Sequence, residues 1–118
     1  MDQFYYRNVA VFFIGDGKKA RDRARLLYSE YGMISYIFDS RPSLLSRLSP
    51  CIKAISTRGV REDALFLHLI DSVIERSGRS VFLLIADNPA EQGIIERNKE
   101  FFQTRFITDP DIISGIAQ

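Results

Sequence analysis

The stretch "VAVFFIGDGKKARDRAR", residues 9–25, decides the fold of this chain. Its first six residues are all apolar, which is typical of a β-strand buried on both faces of a sheet. Gly15 and Gly17 end this run, and the segment that follows has apolar residues at helical spacing. A buried strand that passes through a glycine turn into a helix predicts an α/β fold.

The remainder of the chain repeats this alternation of strands and helices. The sequence predicts further strands over residues 33–38, 51–55 and 81–86. It predicts helices over residues 18–31, 62–76 and 89–101, a short helical turn at Leu44 and Leu45, and a last small helix after Asp109-Pro110. In the helix over residues 62–76, one apolar side is expected to hold Leu65, Phe66, Leu69 and Val73.

This order of elements predicts one domain over residues 1–118, an α/β Rossmann-like three-layer sandwich. The sheet is expected to be mostly parallel, with four to five strands in the order 3-2-1-4 and right-handed crossovers. The fifth strand, if it forms, is expected from residues 105–107 and lies beside the fourth.

Composition excludes several classes of protein. Among the 118 residues, 16 basic and 15 acidic side chains nearly balance, whereas proteins that bind nucleic acid usually carry a strong basic excess. No stretch approaches the roughly 20 apolar residues that cross a bilayer, and the N-terminus does not resemble a signal peptide. Cys51 is the single cysteine, so no internal disulfide forms, and a reduced, cytoplasmic protein is expected. His68, within the apolar run "ALFLHLI", is expected to have a structural role.

Several candidate binding residues follow the predicted strands. In parallel α/β sheets, ligands bind outside the carboxyl ends of the strands, where the strand order reverses. The residues at these positions are Gly15, Asp16, Gly17 and Lys18 after the first strand, Asp39 after the second, and Asp87 and Asn88 after the fourth. All of them are therefore expected to face one crevice, without a catalytic residue or a metal ligand among them.

The glycine turn leaves two interpretations open. Residues 15–20 fit the dinucleotide pattern G-x-G-x-x-G/A, and a helix N-terminus offers free N–H groups to an anion. The other interpretation is a tight strand-to-helix turn that binds no phosphate. Carboxylates at Asp16, Asp39 and Asp87 make the field at the crevice negative, which favours a ligand that carries an amine.

Five segments of the chain together resemble a known family. They are "VAVFFIGDG", "MISYIFDS", "SRLSPCIKAIS", "VFLLIADNPAEQGIIERNKEFFQTRF" and "TDPDIISGIA". In this order they resemble the N-terminal pre-ATP-grasp domain of ATP-grasp ligases, of the carboxylate–amine ligase or carbamoyl-phosphate synthase large-subunit type. Asp16 and Lys18 depart from that family, which usually has uncharged residues at both positions.

The resemblance implies a non-catalytic domain that forms part of an acceptor-substrate site and packs on a downstream ATP-grasp domain or a partner subunit. ATP and magnesium are implied for that downstream domain and no cofactor for this chain, which alone should neither hydrolyse ATP nor ligate an amine. A homodimer is expected through the segment "FYY" or the tail "IISGIAQ". The alternative is a small nucleotide-binding or regulatory Rossmann-like module that uses the turn Gly15-Asp16-Gly17. A receiver-like domain is disfavoured, because residues 56–58 after the third strand provide no phosphoacceptor aspartate.

Overall fold

A computed structural model describes residues 8–86 and 89–107 of the chain, the side chains of residues 89 and 90 excepted. Four strands form the sheet: β1 (Val9–Ile14), β2 (Ile34–Asp39), β3 (Ile52–Ser56) and β4 (Val81–Ile85). Five helices accompany them: α1 (Lys18–Tyr31), α2 (Leu44–Leu48), α3 (Asp63–Ser77), α4 (Pro89–Arg97) and α5 (Lys99–Arg105). The predicted strands and first two long helices are confirmed to within one or two residues.

The sheet is entirely parallel and has the predicted strand order, β3-β2-β1-β4. β1 lies at its centre, where Phe12 faces Tyr36 of β2 on one side and Leu84 of β4 on the other. Because β1 pairs on both edges and is covered on both faces, all six of its side chains are buried. This position explains why its sequence is uniformly apolar rather than alternating.

Helices cover both faces of the sheet and complete the three-layer sandwich. Val11 and Phe13 point to the face covered by α1, where they pack with Ala24 and Leu27. The other face carries side chains that pack against α3 and α5, namely Ala10, Phe12, Ile14, Tyr36, Phe38, Phe82 and Leu84. The alternation of successive side chains between the two faces follows from the period of two residues in a strand.

Phe12 is the centre of the core on the α3 side. It is fully buried, and its ring centroid lies 5.2–5.5 Å from four other aromatic rings, those of Tyr36, Phe38, Phe82 and Phe106. Two of these contacts are edge-to-face, a geometry that aromatic pairs favour. The segment that follows α5 is therefore packed onto the sheet through Phe106.

The prediction of one continuous helix over residues 89–101 is wrong, because two helices, α4 and α5, occupy this part of the chain. Asn98 has a non-helical backbone and separates α4 from α5. Its side-chain Nδ2 donates to the carbonyl of Ile94 and to Oδ2 of Asp63, both at 2.9 Å. Because the Asn98 amide competes for a helical carbonyl group, it ends α4. Its second hydrogen bond, to Asp63, connects the end of α4 to α3.

The predicted apolar side of α3 is confirmed for Phe66, Leu69 and Val73 and is wrong for Leu65. Its buried positions are Phe66, Ile70 and Val73, whereas Leu65 is 53% exposed. The spacing of i, i+4 and i+7 defines the core face, and Leu65 lies about 100° away from Phe66 around the helix axis. His68 is exposed on α3 and therefore has no packing role in the core.

At the β4 edge, the fifth strand is reduced to one bridge within the described residues. Ile107 pairs in parallel with Leu83, and its N–H donates to the carbonyl of Phe82 at 2.8 Å. The position beside β4 agrees with the prediction, but Arg105, the first residue of the predicted strand, belongs to α5. The predicted last helix after Asp109-Pro110 and the segments "FYY" and "IISGIAQ" lie outside the described residues.

Candidate functional site

A crevice lies at the carboxyl ends of β1, β2 and β4, as the topology requires. It has two adjoining cavities, of about 190 Å³ on the side of α1 and about 340 Å³ on the side of α3. Ile14, Asp39 and Glu91 line both cavities and mark the place where they meet. The crevice is therefore built from the ends of the strands and from the first turn of α4.

The glycine turn forms the floor of the smaller cavity. The N–H of Gly15 donates to the carbonyl of Phe38 at 2.7 Å, which extends the pairing of β1 and β2 by one bond. Gly15 has φ 102°, a region that residues with a Cβ rarely occupy, which explains why a glycine stands at this position of the turn. Gly17, with φ −174° and ψ 171°, is extended and precedes the first turn of α1.

Asp16 is turned away from solvent and is the most heavily hydrogen-bonded side chain of the turn. Its carboxylate accepts from the N–H of Ser43 at 2.7 Å, the hydroxyl of Ser46 at 3.1 Å and Nη1 of Arg21 at 2.9 Å. The Asp16 side chain is 5% exposed, and that of Arg21 is 16% exposed. Ser43 also caps α2, because its Oγ accepts from the N–H of Ser46. Asp16 thus ties the glycine turn to the start of α2.

The ionisation of Asp16 follows from this network. Burial raises the pKa of its carboxyl, but the hydrogen bonds from Ser43, Ser46 and Arg21 together outweigh burial, and the pKa lies below its usual value. Asp16 is therefore charged at neutral pH, and the Arg21 guanidinium balances its charge. For this reason Asp16 adds little to the negative field that the sequence predicts at the crevice.

Asp39 joins the two loops that border the crevice. Its Oδ1 accepts from the N–H of Asp16 at 3.1 Å, and its Oδ2 accepts from the N–H of Arg41 at 2.9 Å. The structure thus brings Asp39 next to the glycine turn, as predicted from its position after β2. Each oxygen of this carboxylate already has one backbone donor, so part of its role is to hold the loops in place.

Glu91 is a crevice residue that the sequence reasoning missed. It lies in the first turn of α4, and a Cβ placed on Gly15 would be 3.2 Å from its Oε1. Its Oε2 is buried and has no hydrogen-bond partner among the described residues. The sequence contains one signal for this position, an acid three residues after Asn88 at the start of the helix that follows β4. The first turn of such a helix borders the carboxyl edge of the sheet, where ligands bind.

Of the three remaining predicted residues, Lys18, Asp87 and Asn88, the structure describes Lys18. Lys18 is exposed and pairs with Asp22 along α1, with Nζ 2.7 Å from Oδ2, so it points along the helix surface. Asp87 and Asn88 lie outside the described residues. On the outer wall of the larger cavity, Arg97 and Asp63 form a two-bond ion pair of 2.9 and 3.1 Å that ties α4 to α3.

The side chains at the crevice provide few reactive groups. Within residues 8–86 and 89–107, no three His, Cys, Asp or Glu side chains are grouped so that they could hold a metal ion. Cys51 is buried, and its Sγ lies 3.2 Å from the hydroxyl of Ser49, on the α1 side of the sheet. Cys51 is not among the residues that line the two cavities.

None of the described helices is both long enough and apolar enough to span a membrane.

Comparisons with known proteins assign no family to the chain. No model of a known protein family matches this sequence, and no curated protein matches it.

Proposed function

We propose that this chain is the non-catalytic N-terminal domain of an ATP-grasp-type ligase, of the carboxylate–amine ligase or carbamoyl-phosphate synthase kind. In this role the crevice forms one wall of the site for an amine-bearing acceptor substrate. ATP and magnesium belong to a downstream ATP-grasp domain, against which this chain packs. The chain by itself neither hydrolyses ATP nor forms the new bond.

The observation that carries this proposal is that Asp39 and Glu91 each line both cavities, at the place where the two cavities adjoin. Both side chains are acidic, whereas Asp16 and Asp63 in the same walls are balanced by Arg21 and Arg97. A carboxylate-rich junction attracts a cationic group and repels a phosphate. An acceptor amine agrees with this charge distribution better than a nucleotide does.

The packing role has its own support in α2. Leu44, Leu45 and Leu48 are 62%, 63% and 72% exposed, and they occupy a helix of only five residues. The same helix is fixed to the glycine turn through Ser43, Ser46 and Asp16. A cluster of exposed leucines beside a substrate crevice is the kind of surface that a neighbouring domain covers.

The test uses the native reading frame that contains this sequence. We expect that frame to encode further domains and the purified protein to release ADP from ATP and magnesium when a suitable amino acid or other amine is added. The isolated chain is expected to show no ATP turnover. A reading frame with no further domain, or ATP turnover by the isolated chain, would contradict the proposal.

A paired substitution tests the packing surface within the same protein. Leu48→Asp places a charge on the α2 leucines and is expected to weaken ligase activity by loosening the domain contact. Leu65→Asp is the control, because Leu65 is also exposed but lies on α3. Equal activity of the two variants would show that the α2 leucines do not contact another domain.

One observation favours a second candidate, a small nucleotide-binding module. No side chain among the described residues caps the N-terminus of α1 at Gly17, and a Cβ there would have no neighbour within 4 Å. An open helix N-terminus of this kind can accept a phosphate. Calorimetric titration of the chain with ATP and NAD distinguishes the candidates: micromolar affinity that is lost in Gly17→Val would favour the nucleotide-binding module.

A further inference from the structure

We infer that the Glu91 carboxylate binds the ammonium group of a small amine-bearing ligand where the two cavities of the crevice meet. This inference rests on the proposed role of the crevice as a substrate wall, and it names the residue that recognises the amine. Asp39, the other acid at the junction, is partly occupied by the loop N–H groups of Asp16 and Arg41.

Most acids of the crevice walls have other structural roles. Asp16 receives hydrogen bonds from α1 and α2, and Asp63 receives them from Arg97 and Asn98. Glu62 is exposed to solvent at the start of α3. Glu91 differs from all of these, because its Oε2 is buried and has no hydrogen-bond partner within the described part of the chain.

An unpaired oxygen in this place is costly unless a donor reaches it. A buried carboxylate loses its hydration and regains stability only through hydrogen bonds and a compensating positive charge. Arg97, a cation that lines the larger cavity, is already paired with Asp63. Lys19, which lines the smaller cavity, has an interaction of its own. A ligand cation that enters the crevice would supply both the donor and the charge.

The position of Glu91 gives a ligand access to it. Glu91 lines both cavities, and each of these spaces is large enough to admit a small molecule. The terminal torsion of a glutamate is broad and roughly two-fold, so its two oxygens exchange places at low cost. Either oxygen can therefore take the position beside Gly15, a residue that lines the smaller cavity.

The surroundings favour an ammonium group over a metal ion. Hard cations such as Ca²⁺ require about six or more oxygen ligands, and Mg²⁺ requires a nearly octahedral set. At the junction of the cavities, Glu91 and Asp39 are the two carboxylates, and each oxygen of Asp39 already accepts a backbone N–H. A primary ammonium group, with three donors and one charge, fits this small number of acceptors.

The experiment titrates the chain with three matched probes, ethylamine, glycine and propionate, and follows backbone amide signals by NMR. Ethylamine and glycine are expected to shift the amides of Gly15, Gly17 and Glu91, whereas propionate, which has no ammonium group, leaves them unchanged. Glu91→Gln keeps the shape and removes the charge, so we expect roughly tenfold weaker binding of both amines. Glu96→Gln is the control, because Glu96 is an exposed acid of the same helix, and it should bind as the unaltered chain does.

The outcomes separate this inference from the proposed function. Unchanged amine affinity in Glu91→Gln, with the thermal midpoint preserved, would overturn the role of Glu91 and leave the crevice as an amine site. If neither ethylamine nor glycine binds the unaltered chain at tens of millimolar, the role of Glu91 and the role of the crevice as an amine site are both overturned. Binding that depends on Glu91, together with a native reading frame that has no ligase activity, would support Glu91 and contradict the ligase.

Discussion

The Asp16 carboxylate and the Arg21 guanidinium form an ion pair of 2.9 Å in which both side chains are largely buried. Arg21 also donates to the hydroxyl of Ser43 at 3.3 Å, so the pair is part of a network that joins β1, α1 and α2. The acid in the middle of the glycine turn is thus a structural residue. Its charge is balanced within the protein by Arg21, so Asp16 contributes little to the field at the crevice.

Removing the Asp16 charge is expected to destabilise the fold. In Asp16→Asn, Arg21 loses its partner, and the Ser43 N–H and the Ser46 hydroxyl lose a charged acceptor. Hydrogen bonds to charged groups are worth more than neutral ones, so we expect the free energy of unfolding to fall by roughly 2–3 kcal/mol. Urea denaturation followed by circular dichroism measures it. The control Asp22→Asn removes an exposed acid of α1 and should leave the urea midpoint unchanged.

The same network predicts a dependence of stability on pH. Because the pKa of Asp16 is lower in the folded protein than in the unfolded chain, its contribution is present above the unfolded pKa and is lost as the pH falls through the folded pKa. The gap in stability between the unaltered chain and Asp16→Asn should therefore be largest near neutral pH and shrink below about pH 4. Urea midpoints of both proteins, measured across this range, test it. A constant gap would show that Asp16 does not titrate as part of the network.

The fold was predictable because its strongest signals are local. The apolar run of β1, the stop at Gly32 and the proline at the start of α4 each depend on residues close together in sequence. Parallel pairing and strand order then follow from the alternation of strands and helices. The break at Asn98 was not predictable in this way, because it depends partly on Asp63, 35 residues earlier in the chain.

The crevice was only partly predictable for a related reason. Topology places Asp39 beside the glycine turn, since both follow strands of one parallel sheet. Which acids remain without a partner depends on contacts between distant residues, such as that of Ser46 with Asp16 across 30 positions. Spacing within α4 therefore did not distinguish Glu91 from an ordinary acid in the first turn of a helix.

The core face of α3 can be tested by a pair of substitutions to alanine. Ile70 is fully buried against the sheet, whereas Leu65 is 53% exposed. Ile70→Ala leaves a cavity and should lower the free energy of unfolding by about 2–5 kcal/mol. Leu65→Ala should change it by less than about 0.5 kcal/mol. Similar losses for the two variants in urea denaturation would place Leu65 in the core and contradict the described orientation of α3.

The two glycines of the turn should differ sharply in their tolerance of a side chain. Gly15 has φ 102°, and an added Cβ would lie 3.2 Å from Oε1 of Glu91, so Gly15→Ala strains the backbone and displaces the Glu91 side chain. We expect it to lower the free energy of unfolding by about 1–3 kcal/mol.

Gly17 is extended and has open space around it, so Gly17→Ala meets no steric conflict. Alanine restricts the unfolded chain but is disfavoured at the N-cap of α1, so we expect this second change to alter the free energy of unfolding by less than about 1 kcal/mol. Thermal and urea denaturation of both variants measure the contrast. If Gly17→Ala proved as destabilising as Gly15→Ala, the described geometry of the turn would be incorrect, and with it the open helix terminus beside the crevice.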